Sequence, residues 1–206
     1  PSCQAADKPM ATVAAPTLRM TLAGSWDENW FASPALIDVD GDGKRDIVAA
    51  RHSVLYVWRH DGAPLWQTAF AQSADVSSEH GSSRMYASPV VGDLDGDGDV
   101  EIAVGSDADS KHGRNIALYN HTGQLMAGWP ITFGDSEVRA LAGADVDSDG
   151  VVEILANKTN AGPTTAVFEL DGTFHPGWPQ VGPSCDPPLP AEKCWDFGGY
   201  NQNIGA

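Results

Sequence analysis

The chain has 206 residues, 42% of them apolar, so it can bury a core without help from metals or disulfides. Against 28 Asp and Glu stand only 12 Lys and Arg, a formal charge of −16, so nucleic acid and anionic membrane surfaces are repelled rather than bound. No apolar run approaches the ~18 residues of a membrane-spanning helix, and the start at Pro1 implies either a removed leader or a position inside a longer gene product.

Residues 1–24 read as a tether and first strand: a small-residue, Pro-containing head carrying Cys3, then a strand around Thr17 to Leu22. Cys3 can pair with another chain or carry a lipid. Residues 25–206 are one repeat region, because a ten-residue pattern occurs three times. It begins at Asp38, Asp93 and Asp145, positions separated by 55 and then 52 residues. The flanks repeat in phase too, with Phe31-Ala32-Ser33-Pro34 matching Tyr86-Ala87-Ser88-Pro89.

Each unit then shows the apolar pattern of short strands. In the first, Ala35-Leu36-Ile37 enters the acidic turn, Ile47 to Ala50 leaves it, Val54 to Trp58 follows, and Asp61-Gly62 marks a hairpin. The second unit gives Ile102 to Val104, Ile116 to Tyr119, a turn at Thr122-Gly123 and Gly128-Trp129-Pro130. The third gives Ile154 to Ala156, Ala166 to Leu170, Asp171-Gly172 and Gly177-Trp178-Pro179. Four short antiparallel strands per unit of roughly 40–55 residues is the arithmetic of a β-propeller blade. A sandwich is the runner-up, but it does not require the turn and the Trp to recur in register. Trp66, Trp129 and Trp178 are expected to pack between blades.

The expected fold is therefore all-β, with blades at about 25–80, 81–135 and 136–199 and a fourth starting near residue 200. Asn203-Ile204-Gly205-Ala206 echoes Leu141-Ala142-Gly143-Ala144, the lead-in to the third acidic turn. This predicts a larger propeller of seven or eight blades, completed by further residues, another chain or self-association. The alternative is a four-bladed ring closed by the Thr17 to Leu22 strand.

The acidic turns carry carboxylates at positions 1, 3 and 5: Asp38, Asp40 and Asp42; Asp93, Asp95 and Asp97; Asp145, Asp147 and Asp149. Glycine at position 6 permits the left-handed backbone that curls the chain round an ion. Position 7 varies, as Lys44, Asp99 and Val151, which suits a backbone carbonyl ligand; position 9 is always acidic, as Asp46, Glu101 and Glu153. So many carboxylates brought close repel one another unless a cation lies between them. Oxygen-only ligation favours Ca²⁺ over Zn²⁺ and Mg²⁺, with one ion for each of the three turns. An EF-hand is excluded, since position 12 is Ala49, Val104 or Ala156 and a β-type run follows.

The pattern Asp-x-Asp-x-Asp-Gly-x-x-Asp/Glu-Ile, preceded by a short apolar strand, resembles the FG-GAP or VCBS repeat, the calcium-binding blade of integrin α-like propellers and of many secreted bacterial proteins. The resemblance covers roughly residues 25 to 180. It implies Ca²⁺ in a structural role and a secreted, periplasmic or cell-surface setting.

Cys185 and Cys194 bracket a Pro-rich octet, and a disulfide there would staple an inserted loop in an oxidising compartment; two reduced thiols are the alternative. Inserted loops at Gln72 to Arg84, Asp107 to Arg114 and Gly182 to Tyr200 favour a binding or adhesion module for an extracellular protein or glycan. Trp195 is the candidate for stacking on a sugar. The competing reading is the scaffold of a secreted polysaccharide lyase or hydrolase, with Glu79-His80 or Lys111 to Arg114 as acid/base groups. No nucleophile elbow, phosphate loop or dinucleotide fingerprint supports an enzyme, and no catalytic residue is assigned.

Overall fold

The computed structural model describes residues 14–22, 32–72, 84–107, 114–134, 137–159, 165–176 and 178. Ten strands form three antiparallel sheets in chain order. The first holds β1 (Ala35–Ile37), β2 (Asp46–Arg51), β3 (Val54–Trp58) and β4 (Pro64–Ala69), followed by a 3₁₀ turn at Phe70–Gln72. The second holds β5 (Val90–Gly92), β6 (Glu101–Gly105) and β7 (Ile116–Tyr119). The third holds β8 (Val138–Ala144), β9 (Glu153–Lys158) and β10 (Thr165–Phe168). Among the described residues there is no α-helix, as the all-β reading requires.

Each sheet is a simple meander, and each acidic turn joins its first strand to its second: β1 to β2, β5 to β6, and β8 to β9. The first strands adjoin from one sheet to the next, β1 beside β5 and β5 beside β8. That is the side-by-side arrangement of propeller blades about a common axis, with the acidic turns at corresponding places.

Side-chain alternation explains how the sheets stack. Along β6, Ile102 and Val104 point into a core shared with the first sheet, where they meet Val48, Leu55, Val57 and Phe70, while Ala103 points into a core shared with the third. Along β7, Ala117 and Tyr119 join the first core, and Ile116 and Leu118 join the second with Ile154, Ala166 and Phe168. The middle sheet is thus buried on both faces, which is why its strands are continuous apolar runs. Tyr119 also bridges sheets through its hydroxyl, which accepts from Ala71 N at 2.7 Å.

The expectation of four strands in every unit needs correction. Among the described residues the fourth segment is held by single bridges in units two and three: Tyr119 with Leu125, Ile116 with Ile131, and Phe168 with Phe174. Proline has no N–H to donate to a ladder. In unit one Pro64 is the first residue of β4 and an uninterrupted run follows; in unit two Pro130 falls inside the segment, two residues after Gly128 with φ +88.

All three hairpin turns share one geometry. Gly62 N donates to Arg59 O and Arg59 N to Ala63 O; Gly123 to Asn120 and Asn120 to Gln124, then Gly172 to Glu169 and Glu169 to Thr173, repeat the pair. With positive φ confined to the glycine, this is a type I turn followed by a left-handed residue and a bulge. The recurring Trp docks on the turn of the next unit. Trp66 Nε1 donates to His121 O at 2.8 Å and Trp129 Nε1 to Leu170 O at 2.7 Å, the same turn position in each case. Trp66 and Trp129 therefore pack between blades as expected.

Candidate metal centre

The acidic turns are wound first by their own carboxylates. The position 1 side chain accepts from the backbone N–H of position 6: Gly43 to Asp38 at 2.7 Å, Gly98 to Asp93 and Gly150 to Asp145 at 3.1 Å. The position 5 side chain accepts from position 7, at 2.8 Å from Lys44, Asp99 and Val151 alike. Those bonds tie the backbone N–H groups of positions 6 and 7 into the turn. The backbone at position 6 has positive φ throughout, 84° at Gly43 and 95° at Gly98 and Gly150. Position 4 is left-handed as well, and in the third turn it is Ser148, with φ 68, a conformation that the sequence pattern did not disclose.

Position 9 opens the strand after each turn and is buried in all three: Asp46, Glu101 and Glu153 are at most 2% exposed. One oxygen of each accepts from the position 2 N–H, Val39 at 3.0 Å, Leu94 at 2.8 Å and Val146 at 2.7 Å. Position 9 is thus a latch holding the turn against its strand. In the first turn the shorter Asp46 is occupied on both sides, since its Oδ1 also accepts from His60 N at 3.2 Å.

The acidic oxygens gather accordingly. One oxygen each from Asp38, Asp40 and Asp42 lies within 4.8 Å of the others, and so do oxygens of Asp93, Asp95 and Glu101, and of Asp145, Asp147 and Glu153. Asp97, Asp99 and Asp149 stand beside these groups in the same turns, where Asp97 and Asp149 hold the position 7 N–H. Burial pushes the Glu101 carboxyl above its ordinary value, and Asp95, Asp97 and Asp93 push it further up, against the Leu94 N–H that lowers it. Asp42 is lowered, mainly by the Lys44 N–H it accepts.

Basic side chains stand next to two of the turns. Arg59 Nε bonds Asp40 at 2.9 Å and Lys44 Nζ lies 3.5 Å from Asp42; in the second, His121 Nδ1 is 3.4 Å from Asp99. The sequence reading missed Arg59 and His121 because they belong to the hairpin turn, which folding brings over the acidic one. Cys3, Cys185, Cys194, Trp195, Glu79, His80 and Lys111, with the expected fourth blade, lie outside the described residues.

The FG-GAP-like repeat matches twice, over residues 38–104 and 93–156, and the two stretches together span more than half of the chain. The chain belongs to the FG-GAP-like repeat family. Each match starts at the first Asp of one acidic turn and ends in the strand that leaves the next, so the FG-GAP-like repeat is phased on the turns. No curated protein matches this FG-GAP-like chain. Among solved structures it is similar to BBS1N from a complex with ARL6DN, at 14% identity and TM-score 0.48 over 70% of this chain and 42% of that one. It is also similar to the V. cholerae biofilm matrix protein Bap1, at 22% identity and TM-score 0.33 over 69% of this chain and 27% of that one. This FG-GAP-like chain thus spans less than half the length of either.

Proposed function

We propose that the chain is a calcium-pinned blade array that acts as a binding module for an extracellular protein or glycan. The observation that carries the metal reading is the threefold recurrence of an oxygen-only acidic group at one place in each sheet. The donor set fits a hard cation. Asp38, Asp40, Asp42 and the Lys44 carbonyl would hold the first ion; Asp93, Asp95, Asp97, the Asp99 carbonyl and Glu101 the second; Asp145, Asp147, Asp149, the Val151 carbonyl and Glu153 the third. Ca²⁺ supplies the positive charge that the converging carboxylates lack. The residues themselves shape the turn, with position 1 gathering backbone N–H groups and position 9 tying the turn to its strand. A calcium-rich, secreted or cell-surface setting agrees with sites of this kind, for which affinities of ~10⁻⁴ to 10⁻³ M are usual. Binding to partners falls to the loops and to whatever completes the propeller.

Thermal denaturation of the full chain in 10 mM Ca²⁺ and in chelator tests the metal reading. With dissociation constants in that range, each site adds about 1.4–2.7 kcal/mol of stability. Three sites then raise the melting temperature by well over 5 °C. A melting temperature indifferent to calcium would sink the proposal. A glycan and protein array run beside a lyase assay tests the rest: ligand capture without new sugar ends is expected, and turnover would overturn the binding role.

A further inference from the structure

The three acidic turns are not equal. Asp38, Asp40 and Asp42 make up the first acidic group, whereas the second and third each include the buried position 9 residue, Glu101 or Glu153. Position 9 differs in what its oxygens do. Both oxygens of Asp46 accept backbone N–H groups, from Val39 at 3.0 Å and from His60 at 3.2 Å, so that carboxylate is satisfied without an ion. Glu153 is fully buried, its Oε2 accepts from Val146 N at 2.7 Å, and its Oε1 is shielded from solvent with no hydrogen-bond partner. A buried carboxylate oxygen with no donor is strongly unfavourable, and a cation in the third turn relieves it.

Charge divides the turns in the same way. In the first, Arg59 Nε donates to Asp40 at 2.9 Å, Lys44 Nζ lies 3.5 Å from Asp42, and His60 Nδ1 lies 3.8 Å from the same Asp42 oxygen. Three carboxylates thus face two full positive charges from the chain itself. Among the described residues no Lys or Arg pairs with a carboxylate of the second or third turn; His121 meets Asp99, which stands outside the acidic group, at 3.4 Å. The difference originates in the first residue of each hairpin turn, which is Arg59, Asn120 or Glu169. Asn120 turns back on its own hairpin, accepting from Thr122 N at 3.1 Å and from Gln124 N at 3.0 Å, and Glu169 pairs with His175 at 2.7 Å. Of the three, Arg59 alone brings a cation onto its acidic turn.

We propose that Arg59 is a built-in counter-cation that sets the calcium threshold of the first turn, so that the second and third turns fill at low calcium and the first fills last. The inference rests on the calcium reading above and adds an order to it. Affinity in oxygen-ligand loops follows the charge and number of the ligands. The first turn lacks a position 9 oxygen in its acidic group, and it must give up the Arg59–Asp40 pair to admit an ion, Asp40 being one of its three grouped carboxylates. With calcium scarce, that pair keeps the hairpin turn of blade one fastened to the acidic turn. The carboxylates of blades two and three have no such compensation, so the calcium dependence of the fold resides there.

The test is a calcium titration of the isotopically labelled full chain, followed by NMR at the backbone N–H groups of Gly43, Gly98 and Gly150, one for each turn. Gly98 and Gly150 are expected to shift together, and Gly43 to reach its midpoint at about tenfold more calcium. Arg59→Met lowers the Gly43 midpoint by about two- to fivefold, the worth of a partly exposed ion pair, and leaves the other two in place. Asn120→Arg gives the second turn the residue that the first one carries; it raises the Gly98 midpoint, and it serves as the deciding variant should Arg59→Met fold poorly. Calcium that shifts none of the three glycines overturns the calcium reading and this inference with it. Three coincident midpoints, or midpoints indifferent to both substitutions, overturn the role of Arg59 and leave the calcium reading standing.

Discussion

Trp129 and Trp178 occupy the same place in successive repeats, each in a Gly-Trp-Pro triplet, yet they should respond very differently to substitution. Trp129 is 6% exposed, donates to Leu170 O at 2.7 Å and meets Phe168 edge-on at 6.5 Å. Trp129→Phe leaves that carbonyl without its donor, about 1 kcal/mol or more for a partly buried group, and opens space where the indole was, about 1–2 kcal/mol more. The expected loss of about 2–3 kcal/mol corresponds to a fall of roughly 4–12 °C in melting temperature for a chain of this size. Trp178 is 37% exposed. Trp178→Phe should therefore change stability by less than about 0.5 kcal/mol. Both variants are compared by thermal denaturation at one fixed calcium concentration. Equal losses for the two, or a Trp129→Phe variant as stable as the parent, would refute the idea that the indole bond to the next turn holds neighbouring blades together.

Gly128→Ala should destabilise by about 3 kcal/mol or more in urea unfolding, because its φ is +88 and a Cβ there collides with the Asp171 carbonyl of the next blade. Glu101→Gln keeps an oxygen for the Leu94 N–H but removes a charge that burial and three neighbouring Asp disfavour. It is expected to leave the chelator-treated protein as stable as the parent or slightly more so, while calorimetry counts one calcium fewer. Burial, the main cause, raises the Asp107 carboxyl above its ordinary value, and its Oδ1 is shielded without a partner. The folded chain thus holds that proton more tightly than the unfolded chain, so ionisation weakens the fold as pH rises from the ordinary aspartate value through the folded one. Asp107→Asn should match the parent at acid pH and gain in melting temperature above that window; a parent more stable than the variant at neutral pH would contradict it.

Much of the centre was legible because a ligand loop is local. Positions 1, 3, 5 and 9 lie within ten residues, so spacing alone put Asp93, Asp95 and Glu101 in one group, and the turn glycines announced themselves by type. Position 9 was harder to read. Its invariant acidity suggested a ligand, and the structure adds that one of its oxygens is committed to the turn's own backbone. In the first turn a side chain shorter by one methylene places Asp46 against two N–H groups instead of in the acidic group. Arg59, Glu169 and His175 were invisible, since they sit on the hairpin strands away and join the centre only when the sheet folds over it.

The repeat length, the antiparallel meander and the acidic turns follow from the sequence, because each depends on alternation, turn chemistry and ligand spacing between near neighbours. The docking of each Trp on the following turn, the burial of the middle sheet on both faces and the orphaned oxygen of Glu153 were decided by tertiary packing. Those features arise where residues from separate repeats, or from opposite ends of one sheet, exclude water together, and the Trp129 indole finds its acceptor on the next turn only there.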